Sequence, residues 1–212
     1  CAGNPINAVD PDGKDYNLTF DEKKKTLTIS AIYLTNQQSF TSAQSAVNFW
    51  NEQSGIFTYD VGKGNDKTSY IINFDLKVEL KENPEKEFFG NIGKQEQTNI
   101  NLYKITKHSN ITNKNVNGST SQNRINIYNV EADLTGAHEV GHSLGITHSK
   151  KGLMTPYSND ENRSKKIYPE DIYEIIYFPL INRKNKANVG RGFVYPYKYR
   201  KTAFINGKIY QK

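Results

Sequence analysis

Cysteine, methionine and histidine are scarce in this sequence of 212 residues, which has one Cys, one Met and four His. The only cysteine is Cys1, so no disulfide can form within the chain. We therefore expect the fold to depend on one hydrophobic core, with or without a bound metal. No apolar run approaches the roughly 20 residues that a membrane-spanning helix needs, which predicts a soluble protein without a transmembrane segment.

Acidic residues are absent from the end of the chain. Residues 181–212 contain nine Lys or Arg and no Asp or Glu, whereas the first 180 residues carry 19 basic and 22 acidic side chains. The net charge of +6 therefore belongs to this basic aromatic tail. Within it, Asn206-Gly207 between short apolar segments is a strong signal for a β-hairpin. The alternative is a recognition surface for nucleic acid or glycan, built from aromatic residues among cations. We expect the hairpin, and no nucleic-acid partner.

Hydrophobic periodicity predicts a strand, a helix and then four strands. The strands are predicted at 26–34, 56–61, 74–80, 99–106 and 124–129. The helix between the first two has one apolar face, made of Ala43, Ala46, Val47 and Trp50, and Thr41 with Gln44 fits a capping box at its start. A final helix is predicted at 169–177, with Pro169 at an early helical position and three isoleucines on one face.

Three of the four histidines lie in HEVGHSLGITHS, residues 138–149. His138 and His142 are four residues apart, which on a helix places two imidazoles about one turn apart on one face, within reach of one ion. Gly145 can end the helix and reverse the chain, so that His148 returns to the same ion as a third ligand. A fourth position would remain for water, as in catalytic zinc sites. The pattern predicts a Zn2+ site, whereas His108 stands alone in a polar segment and is interpreted as a surface residue.

Glu139 directly follows the first of these ligands. A carboxylate at this place can take a proton from a water molecule whose pKa zinc lowers to near 7, so Glu139 is the predicted general base. The five fixed positions of H-E-x-x-H-x-x-G-x-x-H arise by chance in well under roughly one in a thousand chains of this length. Core packing or solvation explains two histidines four apart, but not the Glu, the Gly and the third His together.

The extended motif resembles that of the metzincin metallopeptidases, because Met154 follows His148 by six residues in GLMTPY. The resemblance implies that Met154 forms the Met-turn beneath the metal. Ser149 and Pro156 resemble the matrixins within that clan, and Pro156 and Tyr157 would then belong to the substrate pocket. Tyr157 departs from the matrixin pattern, in which the tyrosine is usually one residue later. In the astacin and serralysin type the metal-contacting tyrosine is one residue earlier, so a role as pocket wall or as transition-state donor stays open.

The resemblance extends coarsely over residues 24–180 and implies a metzincin-like α+β fold. Such a fold has a twisted, mostly parallel five-stranded sheet with an antiparallel edge strand, an active-site helix, a Met-turn and a C-terminal helix. By this layout the strand at 99–106 would be the antiparallel edge. Asn101, Leu102 and Tyr103 would then pair with an extended peptide substrate.

The first residues carry a second resemblance. Asn4-Pro5-Ile6-Asn7 followed by Val9-Asp10-Pro11-Asp12-Gly13 is similar to the end of the core of Rhs/YD-repeat proteins, after which variable toxin domains begin. It implies a division into the end of an Rhs-like core or linker at 1–20, a zinc peptidase domain at 21–180 and the tail at 181–212.

The same resemblance implies a polymorphic toxin, an effector exported from a bacterium by secretion, surface display or delivery into a target cell. The producing cell would then need a cognate immunity protein that covers the cleft. A generic turn-rich linker remains the alternative for the first residues. Cys1 is open to three interpretations: a truncation point, a thiolate that caps the metal, and a lipid-bearing first residue, of which the last is disfavoured.

The sequence therefore predicts a zinc-dependent endopeptidase of metzincin type that acts on a protein or peptide. One alternative is a zinc hydrolase of bacterial cell-wall peptides. Another is a partner-binding module with structural zinc, which is disfavoured because structural sites normally have four protein ligands. The substrate, the cleavage preference and the oligomeric state have no diagnostic pattern in the sequence.

Overall fold

The structure is a computed structural model. It describes residues 16–61, 67–91, 99–107, 116–121, 123–131, 134–156, 160–181, 203–205 and 208–210. The Rhs-like segment, Cys1, His108 and Tyr157 lie outside these residues. Within them, none of the helices has the length and apolar character that crossing a membrane requires.

Four helices and nine strands make up the described part of the chain. In chain order they are β1 (Asn17–Asp21), β2 (Thr26–Thr35), α1 (Phe40–Asn51), β3 (Thr58–Val61), β4 (Thr68–Leu80), α2 (Pro84–Asn91), β5 (Ile100–Ile105), β6 (Gly118–Ser121), β7 (Arg124–Ile127), α3 (Thr135–Ser143), α4 (Pro169–Ile181), β8 (Ala203–Ile205) and β9 (Lys208–Tyr210).

The strands form one sheet in the order β6-β7-β5-β2-β4-β3-β8-β9, and β1 pairs with the first half of β2. The central strands β7, β5, β2 and β4 run parallel to one another. The pairs β1–β2, β3–β4, β3–β8, β6–β7 and β8–β9 are antiparallel. The predicted metzincin-like fold, with a mostly parallel sheet and an antiparallel edge strand, is confirmed.

Apolar residues alternate along β2 and β4, which explains why these two strands form the buried centre of the sheet. The inward-facing residues of the two strands are buried and belong to the main core: Leu27, Ile29, Ala31, Tyr33, Tyr70, Ile72, Phe74 and Leu76. The two strands pair continuously from Thr26 with Ile71 to Thr35 with Leu80. Apolar side chains of α1, α3 and α4 complete the same core, so the helix that carries the histidines is packed on a rigid sheet.

The five predicted strands correspond to β2, β3, β4, β5 and β7, but the prediction of an antiparallel edge at 99–106 is wrong. β5 lies inside the sheet, with β2 on one side and β7 on the other, and runs parallel to both. Asn101, Leu102 and Tyr103 are buried, so their backbone cannot receive a substrate strand. The antiparallel strand at this end of the described sheet is β6.

The predicted helices are present, with differences at their ends. The predicted face of α1 is buried, but its N-cap is Ser39 without a side-chain cap, because the Ser39 hydroxyl accepts a hydrogen bond from Ile105 N–H instead. The capping box at Thr41 and Gln44 is therefore wrong. α4 begins at Pro169 as predicted and extends to Ile181. The short helix α2 was not predicted; its Phe88 packs in a small second core with Leu34, Ile100 and Leu102.

Candidate metal centre

The helix α3 ends in a way that brings the third histidine back to the first two. Gly145 has φ +90°, and its N–H donates to His142 O (2.9 Å) while Ile146 N–H donates to Gly141 O (3.1 Å). These two bonds form a Schellman motif, in which a glycine is favoured at the left-handed position. The predicted helix stop at Gly145 is confirmed. At the other end the helix begins at Thr135, and its N-cap Leu134 has no side-chain cap.

The three motif histidines form one cluster. His142 Nε2 lies 3.0 Å from His138 Nε2 and 3.1 Å from His148 Nε2. Two nitrogens that bind one zinc ion at 2.0–2.1 Å with tetrahedral angles would be ~3.4 Å apart. The cluster therefore has nearly the spacing of a zinc site, and it could hold a metal ion.

The other ring nitrogens set the tautomer of the two helical histidines. His138 Nδ1 lies 2.8 Å from Leu153 O, and His142 Nδ1 lies 2.7 Å from Ile146 O. A carbonyl only accepts, so Nδ1–H must be the donor in both pairs, and in the neutral ring Nε2 carries a lone pair. The short contact between His138 Nε2 and His142 Nε2 consequently contains no hydrogen bond. Lone pairs that face each other this closely repel, and a cation between them removes the repulsion.

Burial keeps the cluster neutral. It lowers the pKa of His138 to about 3, and the neighbouring His142 lowers it further. Burial is also the main cause that lowers the pKa values of His142 and His148, and the charge of Arg163 acts in the same direction. Neutral imidazole is the form that binds metals, so the donor set fits zinc without a prior proton loss at neutral pH.

Met154 is fully buried beneath the helix. A Cβ placed on Gly141 would lie 2.5 Å from Met154 Sδ and 3.0 Å from Trp50 Cζ2, so Met154 packs against α3 at a point where the helix has no side chain. The preceding carbonyl, Leu153 O, is the one that holds His138. The turn predicted at Met154 therefore supports a ligand through its backbone as well as filling the core.

The third histidine is exposed and is held by its neighbours in sequence. Thr147 N–H donates to Glu174 Oε2 (2.6 Å), and the Thr147 hydroxyl lies 2.9 Å from the same oxygen. On the other side, Ser149 N–H donates to Met154 O (3.0 Å). α4 and the turn at Met154 thus fix the segment that carries His148.

The Glu139 carboxylate is directed towards β6. The Glu139 side chain is buried, and Thr120 Oγ1 lies 2.7 Å from its Oε2 and 2.9 Å from Glu139 O. A Cβ on Gly118 would lie 2.8 Å from Glu139 Cγ and 2.9 Å from Oε1. Burial raises the pKa of Glu139 to about 7, and the hydrogen bond from Thr120 opposes this rise.

The remaining predicted site residues are Pro156, Tyr157 and Tyr103. Pro156 is exposed just after the turn at Met154, and Tyr157 is outside the described residues. Tyr103 is buried in β5, where its hydroxyl lies 2.8 Å from Ser42 Oγ, so it is a packing residue. Sequence reasoning missed Thr120, Gly118 and Glu174, since all three are distant from the motif in sequence. The only available signal was the small, polar segment GSTS ahead of a strand.

Two histidines on a helix packed against a mostly parallel sheet, with a third brought back by the turn that follows the helix, are the arrangement of a metal-dependent hydrolase. The family model of the matrixins matches residues 10–178, which is most of the chain. The chain therefore belongs to the matrixin family, and it is a zinc metallopeptidase with His138, His142 and His148 as the group that could bind zinc. No curated protein sequence matches it.

Proposed function

We propose that the protein is a zinc-dependent endopeptidase in which Glu139 is the general base. One observation carries this proposal: the Nε2 atoms of three imidazoles lie close enough together to hold one metal ion, and a buried carboxylate directly follows the first of them on the same helix. Structural zinc sites normally use four protein ligands. Among the described residues the metal-ligating group at this point has three members, which leaves a place for water.

The histidines would hold the zinc, and Glu139 would move protons. Zinc held by these residues would supply Lewis-acid chemistry, lowering the pKa of a water molecule to near 7 and polarising the scissile carbonyl. The Glu139 carboxylate accepts the proton of the attacking water and then donates it to the nitrogen of the leaving amine. Leu153 O and Ile146 O keep the His138 and His142 rings in the orientation that ligation requires.

We further propose that β6 receives the substrate. It is the last strand of the described sheet on this side and pairs with β7 only along one edge. An extended peptide can add to a free strand edge through backbone hydrogen bonds. Because Thr120 of β6 contacts Glu139, a peptide on this edge would run beside the proposed base.

The test is the cleavage of a proteome-derived peptide library by the purified chain, with all cut sites identified by mass spectrometry. Glu139→Gln should retain zinc and lose at least about 100-fold in turnover, in line with the contribution of general bases. Glu82→Gln, at an exposed position, is the matched control and should cut like the parent. Cuts that persist in Glu139→Gln would exclude the general-base role.

The same library separates the two alternatives. If the parent chain cuts no peptide but releases fragments from bacterial wall material in a Glu139-dependent way, the protein is a wall hydrolase. If it cuts neither and still binds zinc, the proposal fails in favour of a binding module.

We also propose that this peptidase is the toxin domain of an Rhs-like protein exported from a bacterium, with an immunity protein as its partner. The support is the resemblance at residues 4–13, most of which precede the region that the matrixin family model matches. Expression in bacteria should arrest growth, Glu139→Gln should not, and co-expression of the neighbouring gene should relieve the arrest. Equal growth of parent and variant strains in both cytoplasmic and periplasmic expression would contradict the toxin role.

A further inference from the structure

The edge strand β6 touches the Glu139 side chain at two places. Residues 118 and 120 are two apart in a strand, so they face the same side of the sheet. Thr120 lies within hydrogen-bond distance of one carboxylate oxygen, Oε2. Gly118 faces the other oxygen, Oε1, so closely that a Cβ would lie 2.9 Å from it. The strand therefore bounds both oxygens of the carboxylate.

We propose that Thr120 is a positioning residue whose hydroxyl holds the Glu139 carboxylate in the single orientation that proton transfer requires. This inference rests on the proposed function of Glu139 as general base. Glutamate has several rotatable bonds and loses much rotamer freedom when it is ordered. A general base must lie within hydrogen-bond distance of the water molecule that it deprotonates. Holding the carboxylate in one orientation therefore favours proton transfer.

The position of the hydroxyl is itself well determined. Thr120 is paired with Ile125 of β7, and Ile125 is fully buried in the main core. The next residue along the strand, Ser119, faces the opposite side, where its Oγ lies 2.6 Å from Tyr128 OH. The pairing of β6 with β7 therefore fixes the Thr120 side chain on the side of the sheet that faces α3, and its two contacts with Glu139 place the hydroxyl there.

The second acceptor of Thr120 strengthens the argument. Its Oγ1 also lies 2.9 Å from Glu139 O, and a hydroxyl has one proton to donate. The hydroxyl is therefore held between two acceptors of the same residue, and both contacts direct it towards Glu139.

The experiment compares Thr120→Val, which keeps the shape of the side chain and removes the hydroxyl, with Thr120→Ser, which keeps the hydroxyl. Thr120→Val should lower kcat about 10- to 100-fold, the range for a lost hydrogen bond to a charged group, with KM and zinc content nearly unchanged. Thr120→Ser should stay within about threefold of the parent. Thr19→Val, on the exposed face of β1, is the matched control and should leave kcat unchanged.

A double-mutant cycle tests that Thr120 acts through Glu139. In the Glu139→Gln background, Thr120→Val should have little further effect on the residual turnover. In the zinc-free chain, Thr120→Val should lower the melting temperature when Glu139 is present and much less in Glu139→Ala, which removes the partner. This last readout needs neither zinc nor substrate.

Three results would overturn the inference: a kcat of Thr120→Val within twofold of the parent, equal losses in the Val and Ser variants, or an undiminished loss in the Glu139→Gln background. They differ from failure of the proposed function, which would appear as normal turnover in Glu139→Gln itself. Gly118→Ala gives a second perturbation, since its new Cβ should displace the carboxylate and lower kcat while Thr120 stays intact.

Discussion

Replacing Gly141 by alanine should destabilise the protein, although alanine is the better helix former. Gly141 lies inside α3, and an added Cβ would be 2.5 Å from Met154 Sδ, 3.1 Å from Met154 Cε and 3.0 Å from Trp50 Cζ2. Trp50 cannot easily retreat, because its Nε1–H donates to Ala137 O (2.8 Å) and its ring packs against Phe74. Met154 is fully buried, so any displacement of its side chain must disturb the core around it.

The expected change in the unfolding free energy of Gly141→Ala is the difference between a gain in helix propensity and a loss from overpacking. A Gly→Ala change inside a helix gains about 1 kcal/mol, and overpacking a well-packed core costs about 1–3 kcal/mol. We expect Gly141→Ala to lose ~1–2 kcal/mol of unfolding free energy, because all three contacts are with fully buried side chains, those of Met154 and Trp50. Gly90 in α2 has no atom within 4 Å of its added Cβ, so Gly90→Ala should gain up to ~1 kcal/mol.

The assay is thermal unfolding of the zinc-free chain for both variants. A gap of about 1–3 kcal/mol between them corresponds to roughly 2–12 °C in Tm for a chain of this size. Gly141→Ala should also bind zinc more weakly in competition with a chromophoric chelator, since Leu153 O, the partner of His138, precedes Met154. If Gly141→Ala is as stable as Gly90→Ala, the packing of Met154 against the helix is not as described. In a Met154→Ala background the penalty of Gly141→Ala should shrink, because Sδ and Cε are absent.

Two further predictions concern pH and metal. Burial raises the pKa of Asp171 from 3.8 to about 6, so the folded state holds this proton more tightly than the unfolded state. Relative to Asp171→Asn, the parent should therefore lose about 3 kcal/mol of stability as the pH rises from below 3.8 to above 6, of which about 2 kcal/mol falls between pH 4.5 and 8. Urea unfolding at pH 4.5 and 8 measures this loss, and an equal difference between parent and variant at the two pH values would contradict it. Zinc in about 1,000-fold excess over its Kd should stabilise the chain by ~4 kcal/mol. Thermal scans with and without chelator test this, and His138→Ala should abolish the response.

The metal ligands could be predicted from the sequence because their geometry is local. His138 and His142 are related by one helical turn, and Gly145 alone determines where the chain reverses. The same reasoning found the buried faces of α1 and α4, where apolar residues recur at helical spacing. In each case the relevant contacts join residues within one element or one tight turn.

The contacts to Glu139 could not be predicted, since they depend on how distant strands pair. β6 is short, small and polar, so it has no hydrophobic alternation. Because β6 is not recognisable in the sequence, the prediction assigns the edge position to the strand at 99–106. In the structure this strand is β5, which is buried and pairs with a strand on each side. The failed capping box has a similar cause: Ser39 is bonded to the backbone of β5, a contact between residues 66 positions apart.

The pairing of β8 with β3 protects the sheet at its far side. Phe204 and Ile205 pair with Asp60 and Tyr59, which occupies backbone groups of β3 that would otherwise form an open strand edge. Open edges with unpaired N–H and C=O groups template aggregation between chains. A chain cut before residue 203 would retain the histidine cluster and Glu139 but would expose this edge. The basic tail therefore contributes to colloidal stability, and enzyme preparations that lack it would self-associate at concentrations where the full chain stays monodisperse.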